Sequence, residues 1–577
     1  MSAKRLCALA VLFTLPTLQA QKSSSLYPPA DLLAKIKPDA IRARMAYLSD
    51  DLLEGRRTGT HGYMLAAKYV ATQLQEMGLK PAGDSGTYFQ KVRFRSITLN
   101  REKSSFTLRI NGQEQALRFG DEFIAGGDDL NPDSSVEART VFVGYGVTAP
   151  EFNYDDYGNT DVRGKIVVAL YGAPTNFPVA PHAHYSSPTV KIANAVARGA
   201  IGYISIWAGK RAERTPLAKR ARYVHARLRW LDENNLPNDS QPQIKGSASI
   251  SEAVASKMFE GAAKSYKDTF ADSEANKPQS FPLNATVGLH LVSEHSETES
   301  PNVAGILPGS DPKLKDEYVV FSAHLDHLGI GAPVNGDNIY NGAIDNGSGS
   351  AGVLEVARAL SSMPKAPRRS ILFLFVTGEE EGLLGSDAYA HHPTVPIAQI
   401  AANVNMDELA CWYDFADIVP QGADHSTIGK VVDDVAKHMN LQISPDPQPD
   451  EVFFVRSDQY SFVKQGVPAV GVDAGYKTVD PKLDGKKIQD EWEDKYYHQP
   501  NDDMNQPYLD LNAAAKCVRL DLAIGYEIAQ QTERPQWNKG DFFEKFARKD
   551  QGQWRKIKMT SPRIKAPAIR DLQPPQG

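Results

Sequence analysis

Residues 371–386 read ILFLFVTGEEEGLLGS, and the fold and the chemistry of the chain both turn on this stretch. It opens on six consecutive apolar residues, Ile371 to Val376, rich in branched and aromatic side chains. A run that short and that apolar reads as a strand buried on both faces, the kind found inside a parallel sheet. Two residues later come three carboxylates in a row, Glu379, Glu380 and Glu381. Like charges at the end of a core strand repel one another, so a cation or a proton in transit is needed to explain them.

Working outward, the same pattern recurs. Strands are expected at 318–323, 371–376, 401–405 and 467–472. Helices are expected at 347–363, with Val353, Val356, Ala357 and Leu360 on one face, and at 426–439. Strands alternating with helices predict an α/β fold, a mixed and mostly parallel sheet sandwiched by helices. Ligands of such sheets gather at the carboxyl ends of the strands. Those ends are the informative places here. His324-Leu325-Asp326-His327 follows the first strand, and Gly342-Ala343-Ile344-Asp345-Asn346 follows the next loop. Glu379-Glu380 follows 371–376, Asp407 follows 401–405, and Tyr497-His498-Gln499-Pro500-Asn501-Asp502 lies downstream. One strand-end aspartate is ordinarily a helix cap or a turn residue. Five such groups at one sheet edge point to a metal. Two histidines and three carboxylates, one of them shared, suit a pair of zinc ions about 3.5–4 Å apart.

The rest of the chain sets bounds. With 577 residues it is too long for one core. A net charge of −6 and 41% hydrophobic residues describe an ordinary globular protein, with no basic bias towards nucleic acid. Lys4 and Arg5 precede an apolar stretch, 6–18, interrupted by Pro16 and ending near Gln19-Ala20-Gln21. That is the pattern of a signal peptide, so export to the periplasm or the medium is expected, with no membrane segment in the mature chain. Cys411 and Cys517 alone would remain after cleavage, too few for a cysteine-rich zinc site. A helix is expected at 38–53, then a polar turn at 54–60, then a second helix with Ala66, Val70, Leu74 and Met77 on one face and Gly78 as its stop. Residues 88–123 read as β-rich, with a hairpin turn at Asn111-Gly112. Strands at 141–147, 165–170 and 199–206 mark a separate α+β segment. Within it His182-Ala183-His184 has no accompanying carboxylate, and the basic run 210–229 reads as a solvated loop or helix. The tail, 533–577, is Pro-rich and basic and reads as draped over the surface or partly disordered.

The ordered motifs His-x-Asp, Gly-Ala-x-Asp-Asn-x-Ser-Gly, Glu-Glu-x-Gly-Leu-x-Gly-Ser, Asn-x-Asp and Tyr-His-x-Pro-x-Asp resemble the secreted dizinc aminopeptidases, of the aminopeptidase Y, aminopeptidase S and bacterial leucyl aminopeptidase type. The resemblance covers about 302–531. It implies that His324 and Asp407 hold one zinc, that Glu380 and His498 hold the other, and that Asp345 bridges both. It makes Glu379 the general base for a hydroxide shared by the two zinc ions, and Asp326 the residue that orients His324. It further implies a cis peptide after Asp345, peptide substrates and release of N-terminal residues. Gly144-Tyr145-Gly146 and Asp161-Val162-Arg163-Gly164-Lys165 resemble an inserted protease-associated domain. Leu53-Glu54-Gly55-Arg56 and Gly78-Leu79-Lys80-Pro81 resemble the N-terminal part of the peptidase domain.

The expected organisation is a signal peptide at 1–20, peptidase at 27–117, the inserted domain at 118–292, peptidase at 293–532 and a tail at 533–577. His327 reads as a neighbouring polar residue and Glu381 as solvent-facing. Ser457-Asp458 resembles a Ser-Asp-His motif in which Gln459 replaces the histidine. A glutamate-carboxypeptidase type of enzyme shares the catalytic set, and Arg456 is its candidate carboxylate receptor. Transferrin-receptor-like binding proteins share the two domains but lack zinc ligands, none of which is missing here.

Overall fold

The computed structural model describes residues 26–221 and 226–547; the expected signal peptide and the tail beyond 547 lie outside them. Seven strands make up the body of the sheet that carries the strand-end motifs, and shorter strands pair at its edges. The seven are β1 (Phe89–Leu99), β2 (Ser280–Leu307), β3 (Tyr318–His324), β4 (Ser370–Val376), β5 (Ile400–Asn405), β6 (Asp417–Gln421) and β7 (Ala469–Ala474). Their order is β1-β2-β4-β3-β5-β7-β6. The central four, β4-β3-β5-β7, run parallel, and the flanking pairings are antiparallel.

Every residue of β4 is buried, as its unbroken apolar sequence requires. Alternation along β3 feeds the packing on both faces of the sheet. Val319, Phe321 and Ala323 pack with α1 (Pro38–Leu48), α2 (His61–Glu76), α3 (Gly349–Ser361), α4 (Ile428–His438) and α5 (Leu511–Gln530). Val320 joins Leu372, Leu374, Tyr389 and Phe462 on the opposite face. Helices therefore cover both sides of the sheet.

The first helix is shorter than its apolar pattern predicts. It stops at Leu48 because the Ser49 hydroxyl donates to Met45 O and extended Asp50 accepts from Leu52 N, which starts a new tight turn. The start of the polar turn expected at 54–60 is tight and partly buried. Glu54, Gly55 and Arg56 all have positive φ, and Arg56 is 1% exposed. A Cβ on Gly55 would fall 2.4 Å from Tyr340 O, so only glycine fits there.

A second sheet has its own core. It is built from Ser105–Ile110, Gln113–Ala116, Asp133–Val143, Ile166–Leu170, Gly202–Ile206 and Ser247–Ile250, together with the N-terminal half of β2. Phe106 and Leu108 are buried in this core, so by packing it begins ahead of residue 118. The 28-residue strand β2 runs through both sheets and ties them together. The end of the basic run is a further tie. Arg227–Trp230 is a strand on the free edge of β1, with Leu228 and Trp230 buried and Arg227 paired to Asp129.

The described part of the tail, to residue 547, is packed rather than loose. Arg534 donates to Ala398 O and Ile400 O, Trp537 Nε1 donates to Gly466 O, and Phe543 is fully buried against Phe454. Cys411 and Cys517 are buried and unpaired with each other. No helix among the described residues is long and apolar enough to cross a membrane.

Candidate metal centre

The parallel strands deliver their motif residues to one point. His324 ends β3, Glu379 and Glu380 follow β4, and Asp407 follows β5. Asp345 enters from a turn between Gly342 and α3, and the Asp345–Asn346 peptide is cis, as the resemblance implies. Asp502 holds this turn in place. Its carboxylate accepts from Ile344 N at 3.0 Å and from Asp345 N at 3.1 Å, and it is fully buried.

The two oxygens of Asp345 face different partners. Oδ1 lies 3.2 Å from His324 Nε2, which is 3.0 Å from Asp407 Oδ1. Oδ2 lies 3.1 Å from His498 Nε2, which is 3.2 Å from Glu380 Oε2. For bonds of about 2.0–2.1 Å, tetrahedral ligand atoms sit about 3.3 Å apart. Both sets match that spacing. His498 Nε2 is buried and hydrogen-bonds neither oxygen beside it, nor any other group among the described residues. A nitrogen aimed between two carboxylates is placed for a shared ion. The donor set therefore fits two ions of the zinc class.

Electrostatics separates the two adjacent glutamates. Burial and nearby Asp345 push Glu380 up, but His498 and His327 outweigh them and hold it at about 2. Burial raises Glu379 well above the usual carboxylate range, with Glu380 adding to the effect and His324 opposing it. Neighbouring carboxylates pushed in opposite directions are suited to different roles. Glu379 lies at the edge of the first set, 4.0 Å from His324 Nε2.

Several residues behave differently from the sequence expectation. His324 Nδ1 is oriented by the main-chain carbonyl of Asp326, at 3.1 Å, while the Asp326 carboxylate stands 4.0 Å away. That carboxylate accepts instead from Thr58 Oγ1 and Glu379 N, so it fixes the turn carrying Glu379. Glu381 is not left to solvent, because Arg57 pairs with it at 3.0 Å. His327, read as a neighbouring polar residue, is one: it is 1% exposed, and its Nδ1 is 2.7 Å from Glu380 Oε1. Gln459 is part of a polar ladder. It accepts from Asn405, which also donates to Ser457, and Ser457 donates to Asp407 Oδ2 at 2.6 Å. Arg456 is surface-exposed and paired with Glu451. His184 Nδ1 lies 2.9 Å from Tyr460 Oη among the rings of Phe542 and Phe546, in the packing of the tail.

Arg56 enters the sequence reading only within Leu53-Glu54-Gly55-Arg56 and is given no role there, because it stands in a Gly/Arg/Thr turn. Its guanidinium donates to the carbonyls of Leu48, Leu325, Asn341 and Gly342 beneath the site.

The site opens into a cleft of about 1420 Å³ between the two cores. Glu380, His498 and His327 line one wall, and Lys191, Tyr203 and Ser205 from the unit built on the second sheet line the other. That volume exceeds the usual small-ligand cavity and suits an extended chain.

The leupeptin-inactivating enzyme 1 of Streptomyces exfoliatus is 26% identical over 247 residues, 41% of this chain and 49% of that protein. Leucine aminopeptidase 2 of Trichophyton rubrum is 26% identical over 257 residues, 42% of this chain and 47% of its own length. The chain thus spans about half the length of the curated relatives it matches. Among solved structures, the aminopeptidase from Aneurinibacillus sp. strain AM-1 aligns over 88% of this chain and 96% of its own, at 19% identity and a TM-score of 0.49. Residues 302–524, the segment that carries every candidate ligand, match the model of peptidase family M28.

Proposed function

We propose that the chain is an exported, zinc-dependent aminopeptidase that releases N-terminal residues from peptides. The observation that carries this reading is the division of Asp345, one oxygen facing His324 and Asp407 and the other facing His498 and Glu380. In this reading His324 and Asp407 hold one zinc, Glu380 and His498 the second, and Asp345 both. Zinc, when bound, supplies acidification of a shared water and polarisation of the scissile carbonyl.

The chain's own residues do the rest. Glu379 belongs to neither ligand set and stands beside the first, so its carboxylate is free to take the water's proton and return it to the departing amine. Asp326 holds the Glu379 turn through the Glu379 main-chain N–H. Ser457 fixes Asp407 by donating to the oxygen that does not face His324. The second unit, read as a protease-associated domain, forms the far wall of the cleft and restricts entry to extended chains. The relatives named as leucine aminopeptidases make an N-terminal leucine the first substrate to try. The leader at 1–20 is read as the export signal.

The test is a panel of aminoacyl anilides alongside N-blocked peptides with free C-termini. Leucyl anilide is expected to be cleaved and the N-blocked peptides spared; release of C-terminal residues instead would establish a carboxypeptidase. Glu379→Gln should lower kcat by at least about 10²-fold with zinc content unchanged. Turnover equal to wild type in that variant would remove Glu379 from the mechanism.

A further inference from the structure

One buried histidine in the centre has no part in the ligand sets described above. His327 lies three residues beyond the end of β3, and its side chain has no exposed surface. Its Nδ1 is 2.7 Å from Glu380 Oε1 and 3.8 Å from Asp345 Oδ2. The other Glu380 oxygen, Oε2, is the one that faces His498. The distance to Oε1 is that of a charge-assisted hydrogen bond and shorter than a ligand edge, while the distance to Asp345 is longer than one. His327 therefore grips Glu380 from the side away from His498.

The surroundings hold the ring in that pose. Gly342 lies against it, and a Cβ at that position would fall 2.5 Å from His327 Cγ. The His327 N–H donates to Arg56 O, in the same buried turn whose guanidinium holds Leu325 and Gly342. An ionised carboxylate only accepts hydrogen bonds, so in this contact Nδ1 carries the hydrogen.

We propose that His327 is a positioning residue of the metal centre, donating from Nδ1 to Glu380 Oε1 so that Oε2 alone is presented beside Asp345 and His498. The proposal rests on the two-ion reading given above. A carboxylate held by one oxygen is restrained from swinging, so an ion held here would meet Oε2 beside Asp345 and His498. Outer partners of this kind typically change metal affinity 10- to 100-fold. The competing role, Nδ1 as a ligand in its own right, is chemically available, because the donor atoms of His327, Asp345 and Glu380 all lie within 4.8 Å of one another.

The experiment compares zinc affinity and stoichiometry, by chelator competition, in wild type, His327→Ala and His327→Asn, with thermal melting of each apo-protein as a folding control. Asparagine returns an N–H donor near the Nδ1 position and is a poor zinc ligand. The alanine variant is expected to lose 10- to 100-fold in affinity for one ion and little for the other, and asparagine to recover most of the loss. Two ions bound by the alanine variant as tightly as by wild type would overturn the proposal. Asparagine binding no better than alanine would overturn the donor role in favour of direct ligation. Wild type that binds fewer than two ions would overturn the two-ion reading and this proposal with it.

Discussion

Arg56 illustrates how much of the centre is held from below. Its guanidinium is buried and satisfied by four main-chain carbonyls on three segments, two of which flank the His324 and Asp345 turns. Burial lowers its pKa to about 10, with Asp345, Asp502, Asp326 and Glu380 acting in the opposite direction, so it remains a cation beneath an acidic cluster. Removing it would leave buried carbonyls unpaired and carboxylates without their nearby positive charge. Arg56→Met is expected to cost about 3–5 kcal/mol of unfolding free energy in urea titrations, the range for breaking a buried charged contact. A loss under about 1 kcal/mol would mean that the turn is stabilised by other contacts. At this scale the sequence spoke unevenly. His324, Asp345, Glu380, Asp407 and His498 were legible because strand ends and motif order point to them. Arg56, His327 and the Glu381–Arg57 pair were not. Their roles depend on contacts across tens to hundreds of residues, and charged groups in Gly-rich turns are ordinarily exposed.

At the scale of elements, the parallel strands were the easiest to read. β4 declares itself by six apolar residues, and the pairing of β3 with β4 and β5 brings three motif-bearing ends side by side. The strap formed by residues 533–547 was harder, since it opens a tail, 533–577, that is Pro-rich and basic as a whole and lacks periodicity, which resembles disorder. It is pinned by single anchors instead of a helical face. Phe543 is the deepest of them, fully buried with Phe454, Val463 and Ala469 and packed edge-on to His425. Phe543→Ala should cost about 3–5 kcal/mol, the usual price of emptying a buried aromatic site, and should expose the strap to limited proteolysis. Wild-type stability together with unchanged proteolysis would show that the strap does not depend on this anchor. The strap also touches the second unit, through Lys545 to Glu151 and through Phe542 to Phe152.

At the scale of the whole molecule, two cores share one strand, and the cleft lies between them. β2 pairs with β1 and β4 along its C-terminal half and with the second sheet along its N-terminal half. The two walls of the cleft are therefore covalently continuous through a single 28-residue strand. The separate texture of the second unit was visible in the sequence, but its packing boundary was not. The hairpin at Asn111-Gly112 reads the same whichever core receives Phe106 and Leu108. What the molecule organises, on this account, is a centre in which one carboxylate serves two ions. The most direct measurement is zinc bound per chain, with the affinity of each ion, in wild type and in Asp345→Asn. The account predicts about two ions in wild type and a joint weakening of both in the variant, because its two oxygens face separate donor sets. Fewer than two ions in wild type, or a variant that loses one ion and keeps the other at full affinity, would contradict it.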